Sequence, residues 1–173
     1  MADLRSQLGR WRERRLGVLG AGNVERGDDG FGVRLVEALR AARAPLRTWD
    51  GGTCPERFVG LAVAAGAEEL ILADAVELGA PPGTLLLAGT DELKTRPLRT
   101  STHRVPLAVL AKYAEGLGAR AWILGVEPSS LLGPALSAPV RGTLEAVVEL
   151  LRGAPGRFVH PSGRAAPEVE VGP

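Results

Sequence analysis

The run "ELILADA", Glu69–Ala75, constrains the fold more than any other stretch of the chain. A strand with one wet face alternates apolar and polar residues, whereas an unbroken apolar run ended only by Asp74 suits a strand covered on both faces. Its neighbours supply the cover. Arg15 to Leu19 reads as a short buried strand, followed by Phe31, Leu35, Val36 and Leu39 at helical period. Leu46 to Trp49 gives a second strand and Phe58, Leu61, Ala62 and Ala65 a second helix. Beyond the turn "GAPPG", Gly79 to Gly83, come the strand "TLLLAG", a helix through Leu107, Leu110, Ala111 and Ala114, and the strand "AWILGV". Val140, Leu144, Val147, Val148 and Leu151 form the closing helix, with Ser137 as its N-cap and Pro139 in its first turn. This alternation predicts a single three-layer α/β/α domain: a mostly parallel central sheet flanked by helices, with Glu69–Ala75 near its centre.

The 173 residues fit one domain, which we bound at 1–151. Residues 1–14, with Leu4, Leu8 and Trp11 at helical spacing beside the basic run "RWRERR", are expected to form a solvated amphipathic leader helix. Residues 152–173, punctuated by Pro155, Pro161, Pro167 and Pro173, read as a loose tail. Lys and Arg number 21 against 20 Asp and Glu, so no charge excess draws the chain to nucleic acid or an anionic membrane. No segment approaches the roughly 20 apolar residues of a membrane span, and no signal-type apolar run opens the chain. The single cysteine, Cys54, forms no internal disulfide; a cytoplasmic protein is expected.

In open sheets of this class, ligands bind outside the carboxyl ends of the strands, which directs attention to the loops at 20–30, 50–55, 74–83 and 126–137. The first carries "LGAGNVERGDDGFG". Gly20 and Gly22, with Asp50 ending the next strand, suit a dinucleotide, but Glu25 occupies the third glycine's place and Asp28 and Asp29 set carboxylates where phosphate charge would lie. One of these acids is suited to cap the following helix; both cannot, so the other points elsewhere. Asp74 is either salt-bridged or held at the mouth of the cleft, and His103, in "STHRVP", is either structural or part of the same site. His160 falls in the tail. Two carboxylates and an imidazole at one sheet edge suit a divalent metal of borderline softness with open positions, held weakly or brought by the substrate. No H-E-x-x-H motif accompanies them.

The segments "VLGAGNVERGDDGFGVRLVEAL", "DGGTCPERF", "LILADAVELGAPPGTL", "STHRVPL" and "ILGVEPSSLLGPALSAPV" resemble, in order and spacing, the [NiFe]-hydrogenase maturation endopeptidases over about residues 16–151. "DDG", "CPE" and the "THxxPL" pattern resemble the branch serving formate-hydrogenlyase-type membrane hydrogenases. The resemblance implies an endopeptidase that removes the C-terminal extension of a hydrogenase large-subunit precursor after nickel insertion. It implies Asp29, Asp74 and His103 as the catalytic and metal-binding set, with nickel arriving on the substrate and cadmium or zinc as a crystallographic stand-in. Asp50, Gly51, Gly52 and Thr53 are candidates for positioning the substrate chain, or form a plain turn.

Two departures from the family pattern bear on substrate detail: Glu127 and Ser129 flank Pro128 where an amide and an acid are frequent. Cys54 stands where relatives of that branch have a small residue, which disfavours a thiol nucleophile. Two alternatives stand beside the endopeptidase: a non-catalytic chaperone of the same fold that binds nickel or the precursor, and a nucleotide-binding oxidoreductase using Gly20 to Gly30.

Overall fold

The structure, a computed structural model, describes residues 4–11, 14–95 and 105–153. In chain order the elements are α1 (Leu4–Arg10), β1 (Leu16–Ala21), α2 (Phe31–Ala41), β2 (Arg47–Gly52), α3 (Glu56–Ala64), β3 (Glu69–Ala75), β4 (Leu85–Gly89), α4 (Thr90–Thr95), α5 (Leu107–Gly116), β5 (Arg120–Val126) and α6 (Ala138–Arg152). The strands make one five-stranded sheet in the order β2-β1-β3-β5-β4. Every neighbouring pair is parallel except β4 with β5. The short connection from β3 to β4, residues 76–84, explains the exception, since a parallel crossover needs about a dozen residues or more.

The apolar run of β3 divides between two cores. Leu70 and Leu72 face one side, with Val59 and Ala62 of α3 and Leu107, Leu110, Ala111 and Ala114 of α5. Ile71 and Ala73 face the other, with Phe31, Leu35, Val36 and Leu39 of α2 and Val140, Leu144, Val147 and Leu151 of α6. Strand β5 splits the same way, Ala121 and Ile123 against Trp122, Leu124 and Val126. Full burial of a Leu or Ile side chain is worth about 1.5–3 kcal/mol, so a polar residue on either face of β3 would forfeit a comparable amount. The run is continuous for that reason.

The leader helix ends at Arg10, short of the expected boundary, and it is less solvated than expected: Leu4 and Trp11 are buried in the α2–α6 core. The Trp11 ring meets Trp122 edge-on at 5.6 Å, and the Trp122 indole N–H donates to Glu69 at 2.6 Å. The aromatic residue draws the helix onto the sheet. Arg10, Arg14 and Arg15 stay exposed, and Arg15 pairs with Glu68 at 3.2 Å. Helix α4 was not foreseen because "TDELKT" has no apolar face to betray it. The proposed tail falls, from residue 154 on, outside the described residues.

Helix α2 leaves β1 for one face of the sheet and α3 leaves β2 for the other. Strands β1 and β3 lie side by side between these opposite departures. Their carboxyl ends form the switch point at which sheets of this type open a crevice.

Candidate active site

Strand β1 ends at Ala21 and the chain passes through a tight 3-10 turn, Gly27–Gly30, straight into α2. The turn packs against β3. A Cβ on Gly32 would overlap the carbonyls of Ala73 and Ala21; a Cβ on Gly20 would overlap the Gly32 carbonyl, and one on Gly22 (φ 129°) the Asp29 carbonyl. These glycines let the start of a helix press directly on two strand ends. At Gly20 and Gly22 the requirement for glycine is met by the protein's own backbone, so a phosphate is not needed to explain either residue.

Both acids of the turn are buried, and neither caps α2, whose N-cap is Gly30 without a side-chain bond. The expected carboxylate cap of α2 is absent, because the backbone of Gly30 occupies the N-cap position. Asp28 turns away to the loop between β5 and α6, where its carboxylate accepts from the backbone N–H groups of Ser129 (2.8 Å), Ser130 (2.9 Å) and Ser137 (2.7 Å) and from the Ser137 hydroxyl (2.8 Å). Burial pushes its pKa up, but these hydrogen bonds outweigh burial and hold it below the ordinary carboxylate value. Ser137 is the N-cap of α6, as its sequence position suggests, yet its hydroxyl is spent on Asp28 rather than on the helix.

Asp29 stays at the strand ends, 2% exposed, and accepts the Asn23 N–H at 3.1 Å through Oδ2. Asp74, fully buried, is the penultimate residue of β3 and accepts the N–H of Ala75 at 2.8 Å through Oδ1. The turn's contact with β3 and the close approach of Gly32 to Ala73 bring the Asp29 and Asp74 backbones to one place. His103 lies outside the described residues. Among the described residues no three His, Cys, Asp or Glu side chains gather as an ion-binding group, so the acids do not complete a metal centre within that part of the chain.

Asp50 is exposed at the end of β2, and its side chain closes a local turn by accepting the Gly52 N–H at 2.9 Å. Gly52 in turn accepts the Gly22 N–H at 2.9 Å, tying this turn to the first loop. Gly51 is buried while Thr53 and Cys54 are exposed. The geometry of Asp50 to Thr53 is that of a braced turn at the crevice rim.

Beyond Asp74 a cleft of about 310 Å³ opens, lined by Glu77, Gly79, Glu127, Pro128, Ser129, Ser130 and Leu131. Glu127 holds its walls together: Oε2 accepts the N–H groups of Leu78 (2.6 Å) and Ala80 (3.2 Å), and its backbone bonds Gly83 and Thr84 at 2.9 Å each. Sequence reasoning missed the anchoring roles of Asp28 and Glu127. The faint signal was a loop, "EPSSLLGPALSA", rich in small donors with no acid of its own beyond Glu127.

The fold and site define an α/β domain whose switch point holds two buried acids beside an open cleft. The comparisons specify the class. The hydrogenase maturation protease family (HycI) matches residues 33–154, a span that includes Asp74 and the cleft but begins just after Asp29. A hydrogenase expression/formation protein of Rhizobium leguminosarum is 34% identical over 148 residues, covering 78% of this chain and 71% of its own. The hydrogenase 3 maturation protease of Escherichia coli is 30% identical over 79% of this chain and 88% of its own. The crystal structure of a [NiFe] hydrogenase maturation protease from Thermococcus kodakarensis superposes with a TM-score of 0.74 at 29% identity, over 87% of this chain and 98% of that one. The chain belongs to the hydrogenase maturation protease family and is a protease.

Proposed function

We propose that this protease removes the C-terminal extension of a [NiFe]-hydrogenase large-subunit precursor and inspects the nickel carried by that precursor through Asp29, Asp74 and His103. The single observation that carries this is the burial of two carboxylates on neighbouring elements, Asp74 near the end of β3 and Asp29 in the turn that packs against it. Two carboxylates and an imidazole leave coordination positions open, suited to a metal whose remaining ligands are thiolates of the substrate. The nickel belongs to the substrate. A precursor lacking it forfeits that contact and binds weakly or out of register, so specificity is a difference in affinity.

At the described atoms, the Asn23 N–H fixes Asp29 Oδ2 and the Ala75 N–H fixes Asp74 Oδ1, so each carboxylate has an oriented oxygen before substrate arrives. Preset orientation lowers the cost of binding. The strand ends and the braced turn at Asp50 offer backbone along which an extended chain is laid. One cysteine and the reducing conditions in which such a precursor is assembled support a cytoplasmic location. Among the described residues no helix is long and apolar enough to cross a membrane.

Asp29→Asn, Asp74→Asn and His103→Ala each test the proposal. The asparagines keep an acceptor for the Asn23 and Ala75 N–H groups but lose the charge. Processing of a nickel-loaded precursor, followed by electrophoretic shift, is expected to fall roughly 100-fold or more, since even partners of metal ligands are worth about 10–100-fold. Wild-type processing by any of the three removes that residue from the site. A folded protein that binds loaded precursor without shortening it would overturn the proposed substrate.

A further inference from the structure

Leu132 is 85% exposed, the most exposed of the large apolar side chains among the described residues. A single surface leucine on a mobile loop carries no meaning. This one sits on backbone held from several directions. The Leu132 N–H donates to Ser130 Oγ at 3.2 Å, the Gly27 N–H donates to the Gly133 carbonyl, and the Asp28 N–H donates to the Ser130 carbonyl at 2.9 Å. The Asp28 carboxylate takes the N–H groups of Ser129, Ser130 and Ser137 on either side of it. The loop that displays Leu132 is therefore fastened to the same 3-10 turn that carries Asp29.

Its neighbours on the N-terminal side, Pro128 to Leu131, line the cleft whose opposite wall, Glu77 and Gly79, begins three residues after Asp74. The Val76 N–H donates to the Val126 carbonyl at 2.9 Å, so the two walls spring from paired strand ends. The loop that displays Leu132 therefore borders the cleft next to the turn that carries Asp29. We infer that Leu132 is a precursor-binding residue: an apolar anchor, pre-positioned by the Asp28 clamp, that docks an apolar surface of the large-subunit precursor beside the cleft. The inference rests on the acid pair being where the precursor is processed. Asp28 is in this scheme a positioning residue, acting through the loop. Anchors of this kind gain from being immobile before binding, because no loop entropy is lost on association.

The test measures processing rate against concentration of nickel-loaded precursor, by intact mass, for wild type, Leu132→Ser, Leu117→Ser and Asp29→Asn. Leu117, 44% exposed after α5 at the opposite edge of the sheet, controls for loss of any surface leucine. Leu132→Ser removes no buried contact and is expected to fold as wild type. Its KM is expected to rise at least fivefold with kcat within twofold, while Leu117→Ser matches wild type. A KM for Leu132→Ser within twofold of wild type, a fall confined to kcat, or an equal rise in Leu117→Ser would overturn the inference. Full activity of Asp29→Asn would instead count against the acid-pair assignment, and the Leu132 comparison, made with the acids intact, would still be read.

Discussion

Asp28 and Asp29 are chemically identical neighbours assigned opposite work by their partners. Asp28 accepts four hydrogen bonds and is held charged; Asp29 accepts the Asn23 N–H at the strand ends. Asp28→Ala removes the acceptor of these part-buried bonds and unties the loop from the turn, and is expected to cost about 1–3 kcal/mol, checked by urea unfolding. Asp28→Asn, with one carbonyl oxygen left for them, should cost less. Gly32→Ala drives a methyl into the Ala73 and Ala21 carbonyls, and we expect it to destabilise by about 3 kcal/mol or to prevent folding. The sequence placed an acid at the end of β3 and two more after β1, and that much of the site was legible. The family resemblance pointed to Asp29 as the acid of the site, but the clamp role of Asp28 was not legible, because it depends on three serines roughly a hundred positions away and a pairing at that distance leaves no periodic trace.

At the scale of elements, the strands were legible because burial on both faces writes itself as unbroken apolar sequence, and the α2, α3, α5 and α6 helices because each has one apolar stripe. Polar α4 and the antiparallel direction of β4 carried no such signature. The loops are held by carboxylates. Glu127 bonds two N–H groups through one oxygen, so Glu127→Gln, which keeps a carbonyl oxygen, is expected within about 1 kcal/mol of wild type. Glu127→Ala should cost about 1–3 kcal/mol and loosen the cleft wall. At the opposite edge, the Arg15 backbone N–H, then its guanidinium, lowers the Glu68 pKa. A lowered carboxylate pKa means stability present above the unfolded value, about 4.3, and lost as pH falls through the folded one. The pair is exposed, so its worth is below about 1 kcal/mol. Denaturant unfolding should show Glu68→Gln slightly weaker than wild type at pH 7 and equal to it at pH 3.

For the whole molecule, the switch point between β1 and β3 gathers the features to which we assign function: two buried acids, a cleft between the β3 and β5 exits, and an apolar residue displayed on the clamped loop. A mostly parallel sheet with Glu69–Ala75 near its centre was legible in the alternation of strands and helices, the strand order was not, and the carboxyl edge could be chosen as the working edge before any geometry was known. The glycines at its centre were harder to read. Gly20, Gly22 and Gly32 admit close backbone contact between helix and sheet, a role indistinguishable in sequence from a phosphate cradle until the contacts are seen. In the proposed function the acid pair inspects nickel on the precursor. The most direct test is the intact mass of a large-subunit precursor incubated with this protein, with and without prior nickel loading. Loss of a C-terminal peptide from the loaded form alone is expected; equal cleavage of the metal-free form would show that nickel is not inspected.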